Sequence, residues 1–445
     1  MNDHDSLRIL IRGGRLIDPA HGIDAIVDLY LAQGRVAGVD AAPAGFQADT
    51  VVDAADHVVC PGFIDLCARL REPGQTHKAS IASETAAAAK AGVTTLCCPP
   101  DTSPVIDTPA VATLIQERAE QAGKARVLPI GALTQQLNGK DLSAMAALKA
   151  VGCVAVGNAH APLANSQIWR RALEYAATHD LLVVIRPEDP WLKEQGCVHE
   201  GVLATRLGLP GIPETAETVA VAQTLALIEQ TGARAHFGQL SSGRAAAMIA
   251  AAQASGIAVS CDVAAHQLHL TEMDVDGFDA RCHLRPPLRT AADRDALRLA
   301  LAQGSIAALC SDHQPHEPDA KLDTFIATEP GMAALETLLP LTLSLVTDGV
   351  LSLPQAIARL TSGPAKILGL PLGNLAVGAV ADVCVFHAET AWRATDGQWL
   401  SRGRNTPFWG TSQRGAVRLT LLAGKVVYEA YPAPTAMPGA ERGKD

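Results

Sequence analysis

The 445 residues are 48% hydrophobic and 18% charged, with 36 Lys and Arg against 46 Asp and Glu, a formal net charge of −10. That hydrophobic share excludes wholesale disorder, and the negative balance with only 4% aromatics argues against nucleic-acid binding. At roughly 100–200 residues per domain, the length predicts two or three domains, or one large barrel with an accessory module.

MNDHDSLRILIRGG at the start has no basic segment followed by an apolar stretch, so no signal peptide is expected. No run of about 18 apolar residues occurs, so no membrane span is expected. The ten cysteines include no CxxC pair, and Cys97 and Cys98 are adjacent rather than zinc-spaced. Reduced thiols in a cytoplasmic protein are the expectation.

Residues 7–18 and 27–39 alternate apolar and β-branched side chains between Gly turns and read as short strands. The middle alternates strand and helix. Strand candidates are 58–66, 93–98, 125–131, 153–156, 181–185, 233–238, 257–263 and 306–311. Ala-rich helical stretches lie between them: 80–92, with Ser80 as cap and Gly92 as stop, then 167–180 and 215–232. Strand texture returns at 381–387 and 415–429, the latter a hairpin turning at Ala423-Gly424-Lys425. About eight strands, each followed by a helix, predict an α/β fold, a (β/α)8 TIM barrel over 59–369. The absence of GxGxxG or a Walker loop disfavours an open doubly wound sheet. The two ends, 1–58 and 370–430, are expected to build one small β-sandwich module, and 431–445 a disordered tail.

In a barrel, chemistry sits where strands end. Those ends are PGFIDLCARLREPG (61–74), PPDTSP (99–104), VAVGNAH (154–160), VVIRPED (183–189), HFGQLSS (236–242), DVAAHQLHLTE (262–272), HLRPPLR (283–289) and CSDHQPH (310–316). In this order they resemble the dihydroorotase branch of the amidohydrolase family. The resemblance spans nearly the whole chain, including NTPFWG at 405–410. The most specific matches are PGFIDL..L.REPG, PPLR and SDH.PH.

For active members the resemblance implies a binuclear metal centre. Two histidines at i and i+2 come from the first strand, a bridging carboxylate or carboxylated lysine from the fourth, histidines from the fifth and sixth, and an aspartate from the eighth. Such a centre lowers the pKa of bound water from about 15.7 to about 7 and so supplies hydroxide. This sequence departs from that set. Cys67 and Arg69 replace the first-strand histidines, and Asn158 and Ala159 are nearest to the bridging position. Arg186 and Gln239 stand at the fifth- and sixth-strand positions, and only Asp312, a remnant general base, persists. A guanidinium has no free lone pair for a metal. The expectation is therefore a pseudoenzyme with no zinc, no other cofactor and no catalytic set. Hydantoinases and allantoinases share the same ligands, so those activities meet the same losses.

In the substrate shell that the resemblance implies, Arg71 and His316 fit carboxylate-binding roles. Asp101 replaces an asparagine; its charge opposes a carboxylate and is expected to pair with Arg71 instead. Arg285 replaces the asparagine before PPLR. His266, with His269, reads as a remnant of the substrate-facing segment, and Glu188-Asp189 as the strand-five loop of the family. Arginines are most often at the surface. The strand-end positions of Arg69 and Arg186 favour the vacated cavity instead, where a buried guanidinium needs a partner and Asp312 is the available one. His313 and His316 read as holders of loop geometry rather than a metal pair, and Cys67 as a small buried hydrophobe.

The resemblance implies an inactive dihydroorotase homologue that supports aspartate carbamoyltransferase in pyrimidine biosynthesis. The catalytic chain of that enzyme would be the partner, and this chain a homodimer within a larger hetero-oligomer, without nucleic acid or membrane. Two other readings stay open. One is a binding module for a carboxylate metabolite through Arg71 and His316. The other is a divergent mononuclear cyclic amidohydrolase with Asp312 as base and Cys67 as ligand.

Overall fold

The computed structural model describes residues 7–430; the tail expected at 431–445 lies outside them. Eight parallel strands form the central sheet: β1 (Phe63–Asp65), β2 (Val93–Cys98), β3 (Arg126–Ala132), β4 (Ala155–Gly157), β5 (Val183–Ile185), β6 (Ala235–Phe237), β7 (Val259–Ala264) and β8 (Ala308–Cys310). They are hydrogen-bonded in sequential order. Just beyond the ends of β1 and β8, Arg69 N donates to His313 O at 2.8 Å and His313 N to Cys67 O at 3.2 Å, nearly closing the barrel. The strands are almost wholly buried, as expected where helices cover the outside and side chains fill the inside.

Local signals set the helices. Ile81–Lys90 starts at Ser80, whose side chain accepts from Ser83 N in a reciprocal capping box, and stops before Gly92 at φ +81°. Ser166–Thr178 is capped by Asn165, and Thr215–Thr231 ends at Gly232 with φ +69°. Among the described residues no helix is long and apolar enough to cross a membrane.

A second eight-stranded sheet joins the two ends of the chain. Strands Ile9–Asp18, Ile23–Ala32, Arg35–Val39, Thr50–Asp53 and Val58–Pro61 come from the start; Val383–Arg393, Ser412–Leu422 and Lys425–Glu429 come from the end. Val59 faces Val385 in antiparallel register, the seam between the two halves. Ile11, Leu16, Leu29, Val385 and Leu421 are among its buried core.

One expectation is corrected at the junction. The strand candidate 58–66 is two strands: Val58–Pro61 belongs to the terminal sheet and only Phe63–Asp65 to the barrel. Gly62 separates them, so the barrel begins after it rather than at 59. A Cβ on Gly62 would fall 2.3 Å from Thr94 Cγ2, so only glycine lets the chain cross this close to β2.

Candidate functional site

The central feature at the C-terminal mouth of the barrel is an ionic cluster around Asp312. Arg69 Nη1 lies 3.3 Å from Asp312 Oδ1, and Arg186 Nη2 3.4 Å from Oδ2. The side chains of Arg69 and Arg186 are each 7% exposed and that of Asp312 is 5% exposed, so the cluster is nearly dry. Gln314 Nε2 donates to the same carboxylate at 3.2 Å, and Cys67 Sγ sits 3.5 Å from it. Arg186 also donates to Gln239 Oε1 at 3.2 Å. Burial opposes the charge on Arg69, but the carboxylates of Asp101 and Asp312 overcome it and raise its pKa. Burial and the Asp312 charge push the Cys67 thiol well above its ordinary range, which keeps it protonated.

Cys67, Arg69, Arg186, Gln239 and Asp312 thus converge as their strand-end positions predicted. Asn158 does not join them: it accepts from Thr134 Oγ1 at 2.9 Å and donates to Ala161 O at 3.0 Å, bracing the loop after β4. At the cluster a cavity of about 30 Å³ is lined by Cys67, Arg69, Arg186 and Gln239 among others. A larger one of about 260 Å³ is lined by Asn158, Arg186, Glu188 and Arg285 among others.

These residues do not fit a divalent metal. The convergent groups are two cations, a neutral thiol, an amide and one carboxylate already accepting from both cations. Among the described residues no group of three or more His, Cys, Asp or Glu side chains is placed to hold a metal ion. A divalent cation there would face guanidinium repulsion with too few lone pairs to replace its water.

The carboxylate-binding shell is rearranged. The expected Asp101–Arg71 pair does not form; Asp101 Oδ2 accepts from Arg69 Nε at 2.8 Å. Arg71 lies in the irregular segment beyond β1 and has φ +63°, which turns its side chain elsewhere. Its Nε donates to Pro315 O at 2.9 Å, its Nη1 to Gln75 Oε1 at 3.1 Å, and its Nη2 lies 3.0 Å from His316 Nε2. Burial, then the neighbouring Arg69, lowers Arg71 to about 10. Burial, with Arg71 and Lys78 beside it, drops His316 to about 2, so this ring is neutral. Arg285 pairs with Glu188, which leaves neither free for a ligand.

Two histidines leave the site. His313 Nε2 lies 2.8 Å from buried Glu84 and its Nδ1 accepts from Ala334 N at 3.0 Å, a structural role. His269 Nε2 bonds Leu341 O at 2.8 Å, which corrects its assignment to a substrate-facing segment. His266 stays close to the cluster; burial lowers it to about 4, and its Nδ1 is buried without a protein partner. Asp189 caps the helix Pro190–Lys193 by accepting from Trp191 N and Leu192 N.

Sequence reasoning missed Lys78, only 4% exposed, whose Nζ donates to His316 Nδ1 at 3.0 Å and to Glu329 at 2.6 Å. It also missed the buried His236–Asp262 pair, 2.8 Å apart on adjacent strands. Alternation along β6 and β7 places both residues in the barrel interior, and that was the available signal.

Comparison with known proteins gives a consistent picture. A model described as dihydro-orotase-like matches residues 56–244, and an amidohydrolase family model matches 278–428. A "Dihydroorotase-like protein" of Pseudomonas aeruginosa is 52% identical over 95% of this chain and 100% of its own length. Its Pseudomonas putida counterpart is also 52% identical, over 95% and 99%. A protein named "Dihydroorotase" in Syntrophotalea carbinolica is 44% identical over 95% and 99%. The solved L-hydantoinase (dihydropyrimidinase) of Arthrobacter aurescens superposes with a TM-score of 0.83 at 23% identity, over 95% of this chain and 96% of that one, and so shares the fold.

Proposed function

The chain belongs to the dihydroorotase-like amidohydrolases, and from that premise we propose that it is a catalytically inactive member serving as a structural subunit of aspartate carbamoyltransferase. The observation that carries this reading is the Arg69–Asp312–Arg186 cluster. Hydrolysis of a ring amide needs a strong nucleophile at neutral pH, and in this family's chemistry a metal supplies it as hydroxide. Here the position is filled by two guanidiniums clamped on the one remaining carboxylate. Both oxygens of Asp312 already accept from guanidinium and amide donors, which leaves neither of them free to take a proton from an attacking water. Neither a Ser–His–Asp order nor an activated thiol stands at the cluster to replace the metal, and Cys67 is held as a thiol.

Substrate recognition supports the same reading. Arg71, the residue assigned to a substrate carboxylate, already holds Pro315 O through its Nε and Gln75 Oε1 through its Nη1. Asp101, beside Arg69, adds negative charge where a carboxylate would enter. The barrel and its terminal sheet keep their buried cores while the metal position is filled, which fits a protein whose surface is used. We assign it to the cytoplasm and to a homodimeric arrangement inside a larger complex on the same basis.

The test is reconstitution. The carbamoyltransferase chain from the source cell is purified with and without this protein, and its assembly size and turnover are compared. Assembly and turnover should both depend on this chain. A carbamoyltransferase fully assembled and active alone refutes the partner assignment. Hydrolysis of dihydroorotate by the pure chain, lost in Asp312→Ala, refutes inactivity and favours the mononuclear amidohydrolase.

A further inference from the structure

We infer that the loop cluster at the barrel mouth, built from residues 187–213, 270–289 and 317–332, is the docking face of this chain for a protein surface that is both apolar and basic. The inference rests on the carbamoyltransferase reading and names the face that reading lacks. Three observations carry it.

First, the three loops form one rigid unit. They share a core of their own in which Leu203 and Leu209 from the first loop pack with Val275 and Leu288 from the second and Phe325 and Met332 from the third. Arg206 and Asp276 join the first two at 2.8 Å, and His283 Nδ1 joins the second to Thr328 Oγ1 at 2.8 Å. Arg289, buried, donates to Ile212 O at 2.8 Å. A surface this well fastened loses little entropy when a partner binds.

Second, the unit wears its apolar side chains outward. Val202 is 89% exposed, Trp191 83% and Leu322 77%, with Met273, Ile326 and Phe278 each about half exposed. Scattered single exposures are normal, but large apolar groups concentrated on so short a part of the chain mark an interaction site. Trp and Met are among the residue types enriched at interface centres.

Third, these loops are acidic. Counting every Asp, Glu, Lys and Arg in them, twelve are carboxylates and six are cations, a net of −6 out of the −10 of the whole chain. Exposed apolar side chains on acidic loops select a partner surface that is apolar and basic, and the shared negative charge repels a second copy of this chain.

The test titrates the full chain against the purified carbamoyltransferase at about 50 mM and about 500 mM salt, with sedimentation to read self-association. Val202→Glu/Leu322→Glu changes two exposed side chains and leaves the fold intact, checked by circular dichroism. It is expected to weaken binding at least about tenfold, as loss of interface anchors does. Glu194→Lys/Asp323→Lys is expected to weaken binding and flatten its salt dependence. Ile26→Glu and Val426→Glu, on the terminal sheet, are expected to change it less than about twofold. Wild-type affinity in the loop variants, with loss in the terminal-sheet variants, overturns the docking face and leaves the partnership standing. No complex with the wild-type chain overturns both. Loop variants that only dissociate a homodimer assign the face to a second copy and overturn it as well.

Discussion

Removing the charge on Asp312 tests the central cluster most directly. Asparagine keeps the size of the side chain and tolerates the left-handed φ of +46° at this position. At separations of 3.3 and 3.4 Å and an effective dielectric of about 20, each guanidinium gains about 5 kcal/mol of gross attraction to the carboxylate. Desolvating three ions cancels much of that, at several kcal/mol per ion. Asp312→Asn leaves Arg186 buried with only the Gln239 amide and the new neutral amide for company, so the expected loss is about 3–5 kcal/mol. Arg186→Met removes one cation and leaves Asp312 with Arg69 and Gln314; its expected cost is below about 2 kcal/mol. In the double variant Asp312→Asn/Arg186→Met, Arg69 still holds Asp101 at 2.8 Å, so no buried charge is orphaned. The double variant is therefore expected to be more stable than Asp312→Asn alone, a non-additivity of about 1–3 kcal/mol. Urea unfolding followed by tryptophan fluorescence reads all four proteins. A double variant as unstable as the sum of the two singles would show that the cluster is not an ionic unit.

Gly62→Ala should cost about 1–3 kcal/mol through overpacking, because its Cβ would meet Thr94 Cγ2 at 2.3 Å; Thr94→Ala in the same chain, read by thermal melting, should restore only part of that loss, since the Thr94 Cβ itself stays 2.9 Å away. Stability should fall with acid. Burial holds His266 and His283 at about 4 and His316 at about 2 in the folded chain. The unfolded chain takes up those protons first, near pH about 6.5, so stability present above that pH is lost as pH falls toward the folded values. Burial raises Asp65 to about 6, which works in the opposite sense below that pH. With His269, which burial also holds at about 4, the net expectation is a loss of several kcal/mol from about pH 7 to about pH 5, and a flat urea midpoint across that range would contradict it. Calorimetry with dihydroorotate and with carbamoyl aspartate should detect no binding tighter than about 1 mM, because Arg71 is already held by Pro315 and Gln75 and the nearby Asp101 adds negative charge; a micromolar constant would revive the metabolite-binding reading.

The sequence by itself determined the barrel, the terminal sheet and the helix ends. Each rests on short-range physics: apolar strands at regular spacing, Ser80 and Asn165 as caps, Gly92 and Gly232 as stops. The family resemblance, with strand ends, also pointed to Cys67, Arg69, Arg186, Gln239 and Asp312 at the mouth, but to Asn158 as well, which the fold ties to Thr134 and Ala161 instead. Tertiary structure alone decided who pairs with whom there. Strand β1 ends at Asp65, and residues 67, 69 and 71 lie in the irregular segment beyond it, where alternation by two no longer holds and Arg71 takes a positive φ. Arg69 therefore takes Asp101, and Arg71 turns to His316. The Lys78–His316 contact and the His236–Asp262 pair join residues 238 and 26 positions apart. The split at Gly62 depends on Thr94, a residue of the neighbouring strand. Contacts between distant segments leave no local periodic trace, so they become readable only once the barrel has brought those segments together.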